Sequence, residues 1–460
     1  MTRHSSVAVF IILFFIFLPI TNSAQYIEQV EEISAGNFFG YGARQMGMGG
    51  AGIMAIDGTA LFYNPANLAR IPRIEFIFGI SNQNYRDRSS VRPIRKIVDY
   101  GTAIAQVETL SPRFQGFLPV QTSEEDSKNN TRINSAIITV PYPTYRGSMV
   151  IGIGVARSVD FDKIFILNHI DTSELGDIIA AGSEFQSGGL YQWGAGIGID
   201  LSPRIAFGGA LYLYTGKHDY DWNYDLDSLN ILSYTKEDLI TDNYIGFNMK
   251  AALSVRLNQA VAIGMTAETP ISFNVEEELN GYVLENGADS SYYDYIEYNV
   301  KKPFVFSGGI SAQFNNAVLM ADFDYTDWSQ LEYGDNIDME AYNDDIRLYY
   351  EDAVRFRFGG EYVIPKAGLS LRAGYFIDPL PIKSEFINNN RNGYSLGVGM
   401  LIDQVMTIDL AFVHASSGRN SDFIYSTEYD SSDNILSSHN LIIDEDISYN
   451  RLFLTTAYRF

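Results

Sequence analysis

The stretch "AVRFRFGGEYVI", residues 353–364, sorts its side chains by a period of two. Val354, Phe356, Phe358 and Tyr362 fall on one face, and Arg355, Arg357, Gly359 and Glu361 on the other. Period two is the spacing of a β-strand, whose successive side chains point to opposite faces. "YQWGAGIGIDL" (191–201) and "VMTIDLAF" (405–412) repeat the pattern, setting Tyr191, Trp193, Ala195, Ile197, Ile199 and Leu201 against Gln192, Gly194, Gly196, Gly198 and Asp200. A soluble sandwich also alternates but hides the apolar face between two sheets. The number of such segments and their connections decide between the two.

Segments of this kind fall at about 73–86, 132–142, 148–157, 187–201, 203–220, 242–258, 260–272, 303–314, 317–328, 350–363, 367–378, 391–402, 405–416 and 448–460. Fourteen is an even number, as a closed bacterial outer-membrane barrel requires. The connections alternate long and short, and the short ones include "PTYRG", "SP", "NQ", "NN", "PKA" and "DQ". Short periplasmic turns opposite long extracellular loops are the asymmetry of such barrels. The stretches 221–241, 273–303, 327–350 and 417–447 hold 26 acidic and 5 basic residues, and so most of the net charge of -24. The expected outer surface is acidic. The first long loop differs, with "RDRSSVRPIRK" and a candidate helix "IVDYGTAIAQVETL" (97–110).

Composition agrees. Aromatic residues make up 14% of the chain, with 31 Tyr and 29 Phe, as expected where aromatic girdles meet membrane interfaces. The acidic balance excludes a nucleic-acid binder, which needs a basic patch. With no Cys, lipid attachment through a cysteine and disulfides are both excluded. The N-terminal "MTRHSSVAVFIILFFIFLPITNSA" reads as a signal peptide, residues 1–24, because its apolar run Val7–Ile20 is shorter than the ~20 residues of a spanning helix. The histidines are scattered (His4, His169, His218, His414, His439), and no H-E-x-x-H, G-x-S-x-G or Walker motif occurs. No cofactor, metal site or enzymatic activity is expected. The one catalytic arrangement left open pairs His414 with a serine on a neighbouring strand.

Residues 25–72 precede the barrel (73–460) and do not alternate. Within them, Gly47, Gly49 and Gly52 satisfy G-x-G-x-x-G, but no strand precedes the glycines as a dinucleotide site demands. A wide barrel needs a plug if it is not to leak, so this segment is expected in the lumen.

The whole stretch "GARQMGMGGAGIMAIDGTALFYNPANLA" (42–69) resembles the N-terminal hatch signature of the FadL family, outer-membrane transporters of long-chain fatty acids and aromatic hydrocarbons. "YTDWS" (325–329) and "LRAGYFIDPLPI" (371–382) are similar to later family segments. The resemblance implies an all-β fold: a monomeric 14-stranded antiparallel transmembrane β-barrel of the bacterial outer membrane, with an N-terminal hatch. It also implies passive transport of hydrophobic small molecules, captured among extracellular loops and released sideways at an inward kink of the third strand. There Gly152 and Gly154 are the residues compatible with a bend. Asn64, Pro65 and Ala66 are candidate gating residues, with Gly47, Gly49 and Gly50 for close packing. Arg157, Arg355, Arg357 and Arg372, opposite the apolar faces of their strands, are candidate ligands for a carboxylate, although Asp200, Asp322, Asp324, Glu361 and Asp409 can pair with them instead. Expected partners are outer-membrane lipid and lipopolysaccharide, a hydrophobic ligand and, from the C-terminal Phe460, the barrel-assembly machinery. The alternative is a protein-interaction barrel similar to the PorV-type subunit of a secretion system.

Overall fold

The alternating faces resolve as the reverse of a soluble protein. In the computed structural model Phe356, Phe358 and Tyr362 are exposed, whereas Arg357 and Glu361 are 4% and 6% exposed. The same inversion holds in other strands, with Phe76, Phe78, Ile138, Val140, Leu452 and Leu454 outside. Only a lipid-facing exterior makes this arrangement favourable. The structure describes residues 40–99, 104–108, 122–145, 147–171, 178–228, 232–383, 391–429 and 435–460. The expected signal peptide and residues 25–39 lie outside them.

Fourteen staves, each antiparallel to the next, close the barrel. They are β1 (Glu75–Asp99), β2 (Thr122–Tyr142), β3 (Met149–Asp160, continuing as Lys163–Asp171), β4 (Ile178–Ser202), β5 (Ile205–Ser228), β6 (Leu232–Arg256) and β7 (Val261–Glu268, continuing as Ile271–Glu285). Then come β8 (Ala288–Lys302, continuing as Val305–Phe314), β9 (Ala317–Asp327), β10 (Asp352–Ile364), β11 (Leu369–Ile377), β12 (Asn392–Ile402), β13 (Met406–Tyr429) and β14 (Ile435–Arg459). β1 and β14 seal the ring from Glu75↔Arg459 to Ile97↔Ser437. Closure leaves the ladder no open edge at this joint, as hydrocarbon requires. The tight turns take positive φ at Asn315 (48°) and Asp403 (50°), residue types that tolerate it, and also at Gln404 (61°).

Two expectations about the outer connections are corrected. Most of the presumed loops are strand: β1 runs on to Asp99, β5 to Ser228 and β13 to Tyr429, and residues 271–302 form a hairpin. Among the described residues only the 327–350 connection is helical, with short helices at Ile337–Glu340 and Asn343–Tyr349. The candidate helix at 97–110 is instead the end of β1 followed by a short strand, Ile104–Glu108, paired to it. Beyond the membrane both faces of a strand meet polar surroundings, so pairing continues without the alternation that reveals it in sequence.

Residues 40–71 fill the lumen. They form helices α1 (Ala43–Met46) and α2 (Ala60–Tyr63) and a 3-10 helix, Pro65–Arg70, and nearly every side chain is buried. The wall grips them on all sides. The amides of Ala43 and Gly49 donate to Thr455 Oγ1 (2.9 Å) and Ser395 Oγ (2.8 Å), those of Gly52 and Ile53 to Asp322 Oδ2 (2.6 and 2.8 Å), and Tyr212 donates to the Leu61 carbonyl (2.6 Å). Arg44 forks onto Glu361 (2.8 and 3.0 Å), which also binds Arg372 (2.6 Å), itself bound to Asp409 (2.7 Å).

The G-x-G-x-x-G stretch works by close approach. Gly49 has φ 70°, and a Cβ there would stand 2.8 Å from Phe358 O and Tyr375 N. The wall reciprocates: a Cβ on Gly374 would meet Gly49 N at 2.0 Å, and one on Gly208 would meet Ala66 N at 2.3 Å.

Two predictions follow the plug contacts. Gly374→Val should abolish the heat-modifiable folded band on cold gels, whereas Gly360→Ala, whose Cβ would stand 3.2 Å from Leu319 Cδ2, a side-chain end able to give by a few tenths of an ångström, and 3.8 Å from Val318 O, should retain it. Asp322→Ala removes two hydrogen bonds to a carboxylate, each ~1.5–3 kcal/mol. Amide exchange at Gly52 and Ile53 should then accelerate by at least tenfold while barrel amides stay protected.

Candidate functional site: a lumenal cavity and an unpaired seam

Above the plug the lumen holds a cavity of about 220 Å³. Its floor is Tyr41, Ile53, Phe62 and Tyr63, and its aromatic wall is completed by Tyr214, Phe273 and Trp328. Wall residues on strands arrive by period two: in "FNMKAAL" (247–253) Phe247, Met249 and Leu253 face lipid, which turns Asn248 and Lys250 inward, whereas Trp328 comes from the 3-10 helix Trp328–Gln330. The floor is fixed to the wall by a polar relay, Tyr41 OH to Gln192 Oε1 (2.7 Å) and Gln192 Nε2 to Tyr214 OH (2.8 Å).

The cavity is ringed by charge. Lys250 pairs with Glu268 (2.7 Å) and donates to the Phe62 carbonyl; Arg357 pairs with Asp324, and Arg355 with Asp378. Lys302 differs. Its ammonium lies 5.3 Å from the centroid of the Trp328 ring, a cation–π contact, and among the described residues it has no ion pair or hydrogen bond. It is half-buried and lines the cavity.

The candidate arginines separate. Arg355 and Arg357 line the cavity. Arg372 lies beneath, in the chain of ion pairs that anchors the plug. Arg157 is 1% exposed at the end of the first part of β3, held by Asp160 (3.2 Å), Tyr191 OH (3.3 Å) and the Gly188 carbonyl. All four are engaged with protein groups. Of the acids, Asp322 holds plug amides and Asp324, Glu361 and Asp409 hold arginines, while Asp200 sits at the β4 turn. Lys250 and Lys302 were not singled out from sequence: the inward phase of β6 could have revealed the first, but Lys302 adjoins Pro303 at a break in β8 and falls in a stretch read as loop.

Asn64, Pro65 and Ala66 start the 3-10 helix. Asn64 Oδ1 accepts from Ala66 N (3.1 Å), a cap that satisfies the first turn, with Pro65 at N1. The Asn64 Nδ2 and Asn67 Oδ1 atoms are buried with no hydrogen-bond partner among the described residues. Buried unpaired amide groups cost free energy, so this turn is the least satisfied part of the plug. His414 faces outward, its Nδ1 on Asn450 Oδ1 (2.8 Å) beside Tyr394, away from the cavity.

One joint of the barrel is incomplete. β2 and β3 pair from Tyr142↔Met149 to Ser135↔Ala156 and no further. Above that point β2 pairs with β1 alone, and the continuation of β3 with β4 alone, Lys163↔Gln186 to Asp171↔Ile179. The break in β3 falls at Phe161 and Asp162, with Phe161 packed inward against His218 (4.7 Å) and Tyr244 (5.8 Å). This corrects the expectation that Gly152 and Gly154 mark the bend: both lie in the regularly paired part. The glycines at the bend belong to β4, where Gly188 and Gly189 have φ 124° and 155°. Ser158 and Val159, just before the break, line the cavity.

Residues 222–459, more than half of the chain, match the family model described as "Outer membrane protein transport protein (OMPP1/FadL/TodX)". Among solved structures the chain is similar to a Pseudomonas aeruginosa FadL homologue (TM-score 0.60, 13% identity, 93% of this chain and 100% of that one). It is also similar to the P. putida toluene transporter TodX (TM-score 0.55, 13% identity, 92% and 99%) and to the CymD monoaromatic hydrocarbon channel (TM-score 0.52, 13% identity, 93% and 99%). No curated protein matches the sequence. At such identity the structures speak for the fold; the family model, spanning β6 to β14 in full, carries the kinship, and the chain belongs to the FadL/TodX family of outer-membrane transport proteins.

Proposed function

We propose that this barrel passes hydrophobic molecules bearing a carboxylate, of the long-chain fatty-acid class, from its outer face through the lumenal cavity and out sideways at the β2–β3 seam. Size alone does not select the ligand. An apolar cavity of ~150 Å³ already holds benzene, so about 220 Å³ admits one aromatic ring or a length of alkyl chain. The observation that carries the reading is Lys302, a cation in an aromatic-walled cavity with no ion pair among the described residues, Glu268 of the same cavity being paired with Lys250. A ligand carboxylate would complete it. A water-filled route would expose the tail at ~0.8 kcal/mol per CH2, a cost that an aromatic wall and lateral exit avoid.

Residues 40–71 serve as the hatch, and the Asn64-Pro65-Ala66 turn, with its unsatisfied amides, is where it loosens. The same reading takes the chain as a monomer inserted by the barrel-assembly machinery. A lumenal cavity seated on residues 40–71, in a chain of the FadL/TodX family, favours transport over the secretion-system alternative. The aromatic floor and wall favour one second reading, a neutral monoaromatic ligand.

The two ligands are separable. Lys302→Met should weaken oleate binding about tenfold or more, the value of a hydrogen bond to a charged group, and leave toluene binding unchanged; tighter toluene than oleate binding by wild type would sink the fatty-acid assignment. For the hatch, Ala43→Cys with Thr455→Cys joins plug to wall at a 2.9 Å contact in a chain without cysteine. Oxidised protein should stop uptake and reduced protein restore it; uptake indifferent to oxidation would refute a moving hatch.

A further inference from the structure

The unpaired seam is bridged by charge instead of backbone. From β2, Arg132 Nη2 reaches Asp162 Oδ1 at 2.7 Å, and Lys128 Nζ lies 3.9 Å from the same oxygen and donates to the Gln186 carbonyl of β4. Asp162 sits at the break in β3 with its side chain 1% exposed, while Arg132 and Lys128 are 28% and 23% exposed. Its position is set from behind: its amide donates to Asp160 Oδ1 (3.1 Å), and Asp160 is held by Arg157 (3.2 Å). The hinge glycines, Gly188 and Gly189, lie opposite this cluster on β4.

We propose that Asp162, clasped by Arg132 and Lys128, is an ionic latch that holds the β2–β3 seam shut and governs how fast ligand leaves the cavity sideways. This rests on the lateral-exit reading above. Three features make these residues a latch instead of a fixed brace. The backbone ladder, which would resist parting, ends at Ser135↔Ala156, below them. The cations are partly solvated, so water can replace Asp162 at little cost when the pair separates. Ser158 and Val159 connect the cavity wall to the break, so an occupied cavity presses on the strand that carries Asp162.

The test measures oleate uptake by cells lacking their own fatty-acid barrel, and oleate binding to purified protein by Trp328 fluorescence, with folding checked by heat modifiability. Asp162→Asn should raise initial uptake about fivefold, the factor expected for losing a partly exposed ion pair, with unchanged binding. The exchange Arg132→Asp with Asp162→Arg should return uptake to the wild-type rate. Arg132→Cys with Asp162→Cys, joined by a short reducible thiol cross-linker, should block uptake, keep binding and recover on reduction. Wild-type uptake by the cross-linked protein, or a loss of binding in all three variants, would overturn the latch while leaving the transport reading intact. Absence of oleate binding and uptake in the wild type would overturn both.

Discussion

Everything above the periplasmic turns depends on how closely residues 40–71 approach the barrel wall. At Gly47 and Gly397, and again at Gly49 and Gly374, backbone meets backbone with no side chain between, and an added Cβ would fall 2.0–3.1 Å from the opposing chain. Such packing leaves no room for water, so plug amides that no plug carbonyl satisfies must find their partners on the wall. Thr455, Ser395 and the paired acceptor Asp322 provide them. A purely apolar plug would pack but would not register. The chain Arg44–Glu361–Arg372–Asp409 supplies the register, because two planar guanidinium groups share one carboxylate in fixed geometry.

The cavity is what remains where this filling stops. Below the level of Tyr63 the lumen is plug; above it, Tyr41, Phe62 and Tyr63 present rings upward and the wall answers with Tyr214, Phe273 and Trp328. The charged groups there mostly neutralise each other in pairs, which removes the cost of burying them singly. An aromatic chamber with balanced charges accepts a hydrophobic guest without exposing it to water. Lys302 departs from this pairing among the described residues, its ammonium lying over the Trp328 ring at 5.3 Å.

How much of this the sequence disclosed follows from what constrained each residue. Strand cores such as "AVRFRFGGEYVI" were legible because lipid on one side and the lumen on the other impose period two. The stretch 42–69 stood apart because it does not alternate; buried on nearly every side chain, it has no lipid face to impose a period. The strand extensions were not legible: Ala288–Tyr295 is exposed on both faces and loses the alternation. The inward phase found Arg355 and Arg357 at the cavity, yet phase alone does not distinguish them from Arg372, which lies beside the plug's Gly47 in an anchoring network. The bend in β3 escaped for a related reason: its permissive glycines, Gly188 and Gly189, are in the neighbouring strand, and no pattern within β3 records them.

The height of the seam is itself constrained. Bare strand edges in hydrocarbon leave N–H and C=O groups without partners, which a bilayer does not tolerate. Along β2 the outward residues run Tyr142, Val140, Ile138 and Ile133, then change to Thr131 and Asn129. Asn82 of β1 donates to both Asn129 (2.6 Å) and Thr131 (2.9 Å), forming a polar band on the outer surface. The β2–β3 ladder stops at Ser135, where the apolar belt gives way to that band. The unpaired edges therefore open where polar groups are at hand, while the paired lower part of the wall remains intact through the apolar belt. A ladder broken lower would strand its amides in lipid, and one continued higher would tie β3 to β2 across the break at Phe161 and Asp162.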